Sequence, residues 1–108
     1  MKKSFLIIKT DYGYSHTVFV CENEIVAESM VSKLNENAGE NVFYHYETYD
    51  IETNKDKVYI VISSENDSEN TIGVYEDRKY AENKAKEMSN EYNSSVNEYY
   101  VEEFKLLS

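Results

Sequence analysis

Hydrophobic and polar positions follow the order strand, strand, helix, strand, and the chain runs through that order twice. The apolar runs Phe5–Ile8 and Val58–Ile62 are rich in β-branched and aromatic residues and predict two well-buried strands. Each run leads through a polar turn into a return strand, which predicts two hairpins. The turns and return strands are Asp11–Ser15 with Thr17–Cys21, and Glu65–Asn70 with Thr71–Tyr75.

A helix is predicted after each hairpin, because apolar residues then recur at helical spacing. The two stripes step identically, by four, three and four residues, and each is expected to pack on a sheet. They are Ala27, Val31, Leu34 and Ala38, then Ala81, Ala85, Met88 and Tyr92. Asn23 and Asp77 stand where an N-cap belongs. Third strands are predicted at about Val42–Ile51 and Val96–Leu106.

An internal repeat accounts for this doubling. At an offset of 54 residues Thr17 matches Thr71 and Ala27 matches Ala81, without a gap from Phe5 to Tyr46. Tyr46 then matches Tyr100. Residues 1–54 hold nine acidic and four basic side chains, and residues 55–108 hold twelve and seven, so each half carries a net charge of −5. Such self-similarity indicates repeated structural units.

The predicted fold is α+β, with tandem duplicated ββαβ units forming an antiparallel sheet and two helices on one face. Residues 1–108 are expected to make a single compact domain from repeats at about 3–53 and 57–107, joined by Asn54–Asp56. A right-handed crossover straddling the first strand gives the order 2-1-3 in each unit. Which sheet edges of the two units meet stays open.

The net charge of −10, from 21 acidic and 11 basic residues, opposes contact with nucleic acid or anionic lipid and favours a basic protein partner. Solubility alone is the other interpretation. Cys21 is the sole cysteine, which fits a reducing compartment, and no window approaches the roughly 18 apolar residues of a membrane span. A cytoplasmic location is therefore expected. A bacterial host cell is the expected setting, because ten lysines against the single Arg78, many asparagines and no proline or tryptophan suggest an AT-rich genome.

Candidate catalytic and metal-binding residues are few. His16 and His45 lack spaced partners for a metal site, and Cys21 lacks an obvious base. The acidic run Glu65–Asn70 has neither the central glycine nor the closing glutamate of a calcium loop. We therefore expect no catalytic residues, no metal and no cofactor, and do not expect an enzyme.

One stretch of the second unit resembles a known pattern. Ile72-x-Gly73-Val74-Tyr75, followed by Asp77 and the helical pair Ala81-Glu82, is similar to small uncharacterised proteins of Firmicutes and their phages. The first unit departs from this pattern, since Phe19 replaces the glycine. The resemblance implies a phage or prophage context, in which anti-defence inhibitors such as anti-CRISPR proteins are candidates.

The leading functional hypothesis is a small acidic phage-type interaction protein that binds and inhibits a basic host or defence protein. That partner could be a nucleic-acid-binding protein or a nuclease, whose phosphate-binding surface the carboxylates would imitate as a DNA mimic. Exposed turns and helix starts can vary for contact, and tyrosine is enriched at interfaces. The expected partner-binding residues are Asp11, Tyr12, Tyr14, Glu65, Asp67, Glu69, Glu76 and Asp77.

Two alternatives remain open. The protein could bind and sequester a small molecule such as a nucleotide signal, although Lys9, Lys57 and Arg78 are few for an anionic ligand. It could also be a structural module without an inhibitory role.

Overall fold

The computed structural model describes residues 2–65, 68–92 and 98–108, which form six strands and two helices. The strands are β1 (Lys2–Asp11), β2 (Tyr14–Cys21), β3 (Val42–Thr53), β4 (Lys57–Glu65), β5 (Ser68–Tyr75) and β6 (Glu98–Leu107). The helices are α1 (Glu24–Glu36) and α2 (Arg78–Tyr92). The α+β class and the order of elements within each half are as predicted.

One mixed, curled sheet contains all six strands in the order β3-β1-β2-β6-β4-β5. The apolar strands β1 and β4 lie centrally in their units, which confirms the 2-1-3 order. The expectation of a wholly antiparallel sheet is wrong, because β2 and β6 pair in parallel at Val20–Leu106 and Cys21–Leu107. The second strand of the first unit, β2, meets the third strand of the second unit, β6, and these two edge strands run in the same direction.

The main core lies between the two units. Alternate residues of β1 and β4 point into it, since successive side chains of a strand face opposite sides. Its buried members are Leu6, Ile8, Val20, Val58, Ile60, Ile62, Val74 and Leu106. The opposite face of β1 packs on α1 through Phe5, Ile7 and Ala27, and that of β4 packs on α2 through Val61, Ala81 and Ala85.

The hairpins of the two units share one register. Phe5 pairs with Cys21 and Tyr59 pairs with Tyr75, and each member of the second pair stands 54 residues after its counterpart. Both hairpins also carry a register shift at the same place, between residues 7 and 8 and between residues 61 and 62.

The last strand departs from this offset. Tyr46 pairs with Ile7, whereas Tyr100 pairs with Ile62, so the match of Tyr46 with Tyr100 is wrong by one residue. Tyr46 accordingly packs towards α1, while Tyr100 packs towards the main core.

Both predicted N-caps are confirmed. The Asn23 side chain accepts a hydrogen bond from the Val26 N–H at 2.9 Å, and the Asp77 carboxylate accepts one from the Lys79 N–H at 2.9 Å. Helix α1 ends at Glu36, so placing Ala38 in the helical stripe is wrong. The chain turns earlier because Asn35, in the last helical turn, bonds the backbone of Tyr44. The predicted strand start at Val96 and the Tyr92 side chain lie outside the described residues.

In the part of the chain that the structure describes, neither helix has the length and apolar character needed to cross a membrane.

Candidate functional site

Both β-hairpins project from the same end of the molecule. Strands β2 and β6 are parallel, and each runs away from the hairpin of its own unit, so the two hairpins must lie together. We call this the hairpin end. The opposite end, which contains the connection between β3 and β4, is the linker end.

The first hairpin presents two tyrosines at its tip. Tyr12 and Gly13 form a tight turn with φ of 51° and 87°, in the left-handed region that such hairpin turns require. The Tyr12 N–H donates to the Asn41 carbonyl at 3.0 Å, which fixes the tip against the loop before β3. Tyr12 is 72% exposed and Tyr14 49% exposed. With Asp11 and His16 they line one shallow surface depression, so the predicted group Asp11, Tyr12 and Tyr14 is brought together.

The second hairpin supplies carboxylates. Glu65 is exposed and pairs with Ser68 across the turn, while Asp67 lies outside the described residues. Glu69 is half-buried, and its carboxylate accepts a hydrogen bond from the Tyr100 hydroxyl on β6. Glu69 therefore faces inward between the units rather than standing freely at the surface.

Charge is strongly one-sided at the hairpin end. Within the described strand segments nearest the hairpins, Lys9 is the single lysine or arginine against six carboxylates. Those carboxylates are Asp11, Glu47, Glu65, Glu69, Glu98 and Glu102. Lys9 itself lies 4.0 Å from Asp11, which leaves the surface strongly negative.

A polar cleft of about 270 Å³ lies between the two hairpins, which we call the inter-hairpin cleft. Its β3 residues were not predictable as site residues from the sequence, because an alternating strand gives no sign of which side chains will face the other unit. Its lining comes from β1, β2, β3 and β5. The lining residues are Ile8, Ser15, Thr17, His45, Glu47, Tyr49, Glu69, Asn70 and Thr71.

Burial and then negative charge raise the pKa values of two groups in this region. Burial, followed by the charge on Glu69, raises the pKa of the Glu102 carboxyl above its ordinary value, and His16 opposes the rise. Burial, followed by the hydrogen bond to Glu69, raises the pKa of the Tyr100 hydroxyl, which therefore stays protonated and can donate. The acidic groups are thus crowded enough to affect one another.

Two of the predicted binding residues lie at the linker end instead. Glu76 accepts a hydrogen bond from the Thr53 hydroxyl at 2.7 Å, and Asp77 caps α2. Both therefore have structural contacts, and they lie away from the hairpin residues with which they were grouped.

The linker end contains a cleft of about 380 Å³ that brings together Lys55, Lys57 and Arg78. Glu103 pairs with Lys57 at 3.4 Å and with Arg78 at 3.0 Å. The hydrogen bond from Arg78, and then the charge of Lys57, hold the pKa of the Glu103 carboxyl below its ordinary value. Much of the positive charge of this cleft is therefore already compensated.

An apolar groove of about 530 Å³ runs between α1 and the outer side of β2. Ile25, 79% exposed, and Phe19, 40% exposed, are among its lining residues. The positions 54 residues later are Lys79 and Gly73, so the shared ββαβ arrangement does not require an apolar surface here.

His16, His45 and Cys21 do not come together. Cys21 is fully buried against α1, and that burial raises the pKa of its thiol. Among the described residues, no three histidine, cysteine or acidic side chains are grouped closely enough to hold a metal ion.

Comparisons with protein-family models, with curated proteins and with solved structures found no match to this chain.

Proposed function

We propose that this protein binds a basic host protein through its hairpin end and blocks that protein's activity. The observation that carries the proposal is the placement of both hairpins at one end, where the nearby strand segments carry six carboxylates against one lysine and the first hairpin exposes Tyr12 and Tyr14. The surface combines long-range attraction for a positive partner with an apolar anchor for close contact.

Each part of this surface has a separate physical role. Carboxylates attract a basic partner over roughly the Debye length of about 8 Å at physiological ionic strength and mainly raise the association rate. Tyr12 and Tyr14 would bury large amphipathic rings, which are frequent at the energetic centre of interfaces. An inhibitor of this kind needs no catalytic residues, since it acts by occupying a surface.

The resemblance of the Ile72–Glu82 stretch to phage proteins supports a phage-encoded inhibitor in the cytoplasm of an infected bacterium, with an anti-CRISPR or other anti-defence role. Nucleases and other nucleic-acid-binding proteins carry the basic surfaces that an acidic protein would occupy. The partner class proposed is therefore a basic, nucleic-acid-binding protein.

A pull-down from bacterial lysate tests this proposal. The protein is immobilised through its C-terminus, and captured proteins are eluted with a short DNA duplex and then with high salt. We expect a basic nucleic-acid-binding protein in the DNA eluate, and its loss with the double variant Tyr12→Ser, Tyr14→Ser. Capture of proteins that DNA does not displace, or capture unaffected by the tyrosine changes, would contradict the proposal.

The alternative is a binder that sequesters a small anionic molecule such as a nucleotide signal. It is favoured by the linker-end cleft, which gathers Lys57, Arg78 and Lys55 near the start of α2. Two acidic residues argue against it, because Glu103 already pairs with Lys57 and Arg78, and Asp77 already caps the helix. Mass spectrometry of the freshly purified protein distinguishes the two, since a co-purifying nucleotide would favour sequestration.

We also infer that the fold arose by tandem duplication, with both helices on the outer face of the curled sheet. The shared hairpin register, the shared irregularity beside Ile8 and Ile62, and the paired caps Asn23 and Asp77 support this. Thr17 and Thr71, which are 54 residues apart, lie with their hydroxyl oxygens 3.4 Å from each other, as equivalent residues beside a twofold axis would.

A further inference from the structure

Hydroxyl groups line the inter-hairpin cleft beside its carboxylates. Tyr49 donates its hydroxyl hydrogen to Glu47 at 3.4 Å, and the Thr17 and Thr71 hydroxyls lie 3.4 Å apart. Burial and then the charge on Glu47 raise the pKa of Tyr49, while a hydrogen bond from Thr71 opposes that rise. The Thr17 and Thr71 hydroxyls therefore lie next to each other, and the Tyr49 hydroxyl is directed at the Glu47 carboxylate.

Polar groups in the cleft and beside it are also paired with one another. Tyr100 donates to Glu69, and Ser15 shares a hydrogen bond of 2.9 Å with Thr10. The His45 Nε2 lies 3.5 Å from the second oxygen of Glu47. The Tyr49 and Tyr100 hydroxyls are thus directed at Glu47 and Glu69, whose carboxylates are the acidic groups that the cleft offers to a ligand.

These features restrict what the cleft can bind. Its lining contains neither lysine nor arginine, so a phosphate or carboxylate ligand would meet Glu47 and Glu69 without a compensating charge. An apolar group would displace water from those carboxylates and offer no hydrogen-bond donor in exchange. A cation with several hydrogen-bond donors can pair with both carboxylates and donate a hydrogen bond to each.

A guanidinium group matches this geometry best. It is planar and carries five donors, so it can bond carboxylates on two sides at once and stack on an aromatic ring. Glu47 on β3 and Glu69 on β5 come from opposite units, and Tyr49 also belongs to the lining. The volume of about 270 Å³ equals that of roughly nine waters at ~30 Å³ each, which accommodates an arginine side chain.

We propose that the inter-hairpin cleft is a pocket for one arginine side chain of the basic partner, held between Glu47 and Glu69. This inference rests on the proposed function and specifies its contact chemistry. The pocket forms only when both units are present, because its walls come from β3 in the first half and β5 in the second.

The test uses a small probe and the full-length protein, so that it does not depend on the partner. Amide chemical shifts are followed by NMR while N-acetylarginine amide is added at low ionic strength, with N-acetylcitrulline amide as the uncharged isostere. We expect saturable shifts at residues lining the cleft. We also expect binding at least about tenfold weaker for the citrulline compound, since hydrogen bonds to charged groups are the stronger ones.

Matched variants locate the binding. Glu47→Gln and Glu69→Gln should each weaken binding of the arginine probe by about tenfold. Glu82→Gln, which makes the same change of charge at an exposed position on α2, should leave that binding unchanged. Each variant is first checked for an unchanged melting temperature. Equal binding of the citrulline compound, shifts outside the cleft, or equal effects of all three variants would overturn the pocket.

The outcome separates the two proposals. If the arginine probe binds in the cleft but the captured partner binds equally well after the hairpin carboxylates are changed, the pocket is supported and the proposed function is wrong. Partner binding through the hairpins without any arginine response would do the reverse.

Discussion

Ile60 gives the most quantitative test of the core between the units. It is fully buried in the cluster that also contains Leu6, Ile8 and Val20 of the first unit. Ile60→Ala removes three buried carbons, worth about 2.4 kcal/mol at ~0.8 kcal/mol each, and leaves a cavity that adds to the cost. We expect a loss of about 3–4 kcal/mol in the free energy of unfolding, within the range for such truncations.

Urea unfolding at 25 °C, followed by far-ultraviolet circular dichroism and tyrosine fluorescence, measures this loss. With a slope of about 1–3 kcal/mol per molar, the midpoint should fall by roughly 1–4 M. Both probes should report one transition, because the cluster spans both units. Leu34→Ala is the control on α1, where the half-buried side chain should cost clearly less. A loss below about 1 kcal/mol for Ile60→Ala, or two separate transitions, would refute the shared core.

Three further predictions concern charge, linkage and turn geometry. The pKa of Glu102 is raised, so the fold favours its protonated form, and that stabilisation is lost as pH rises through the pKa. Glu102→Gln should therefore raise the melting temperature near pH 7 and raise it less near pH 4.5. The neighbouring Glu103 has a lowered pKa, so Glu103→Gln should lower the melting temperature near pH 7. Changes in melting temperature of the same sign for the two variants would contradict the opposite pKa shifts of the two carboxyls. Chains cut after Lys55 should give two halves that lack cooperative thermal unfolding, since the core needs residues from both, and a sharp transition in either half would count against a single body. Gly13→Ala should cost about 1 kcal/mol in urea unfolding because φ is 87° there. Gly39→Ala should cost less, because Gly39 has equally open space but no positive φ.

Local patterns predicted most of the elements. Alternation, helical spacing and short capping side chains act within a few residues, so the strand–strand–helix–strand order and the caps Asn23 and Asp77 could be read from the sequence. The end of α1 could not, because it depends on the contact between Asn35 and the backbone of Tyr44, nine residues away.

Long-range geometry set the rest. The parallel pairing of β2 and β6 depends on how the two units pack, and no local pattern encodes it. That pairing places both hairpins at one end and so creates the inter-hairpin cleft. Turn chemistry alone had grouped Glu76 with Glu69, although the fold places these two carboxylates at opposite ends. Glu47 falls within the predicted strand at about Val42–Ile51, and its place in a cleft shared with the second unit became visible only in the folded chain.

The association rate with the partner captured from lysate tests the central claim most directly. The triple variant Glu65→Gln, Asp67→Asn, Glu69→Gln is compared with Glu24→Gln, Asp50→Asn, Glu82→Gln, which removes the same charge from exposed sites on other elements. At low ionic strength we expect the hairpin variant to associate about tenfold more slowly than the control variant, and the difference to shrink as salt is added. Equal rates for the two variants at low ionic strength, with unchanged melting temperatures, would contradict the hairpin end as the binding surface.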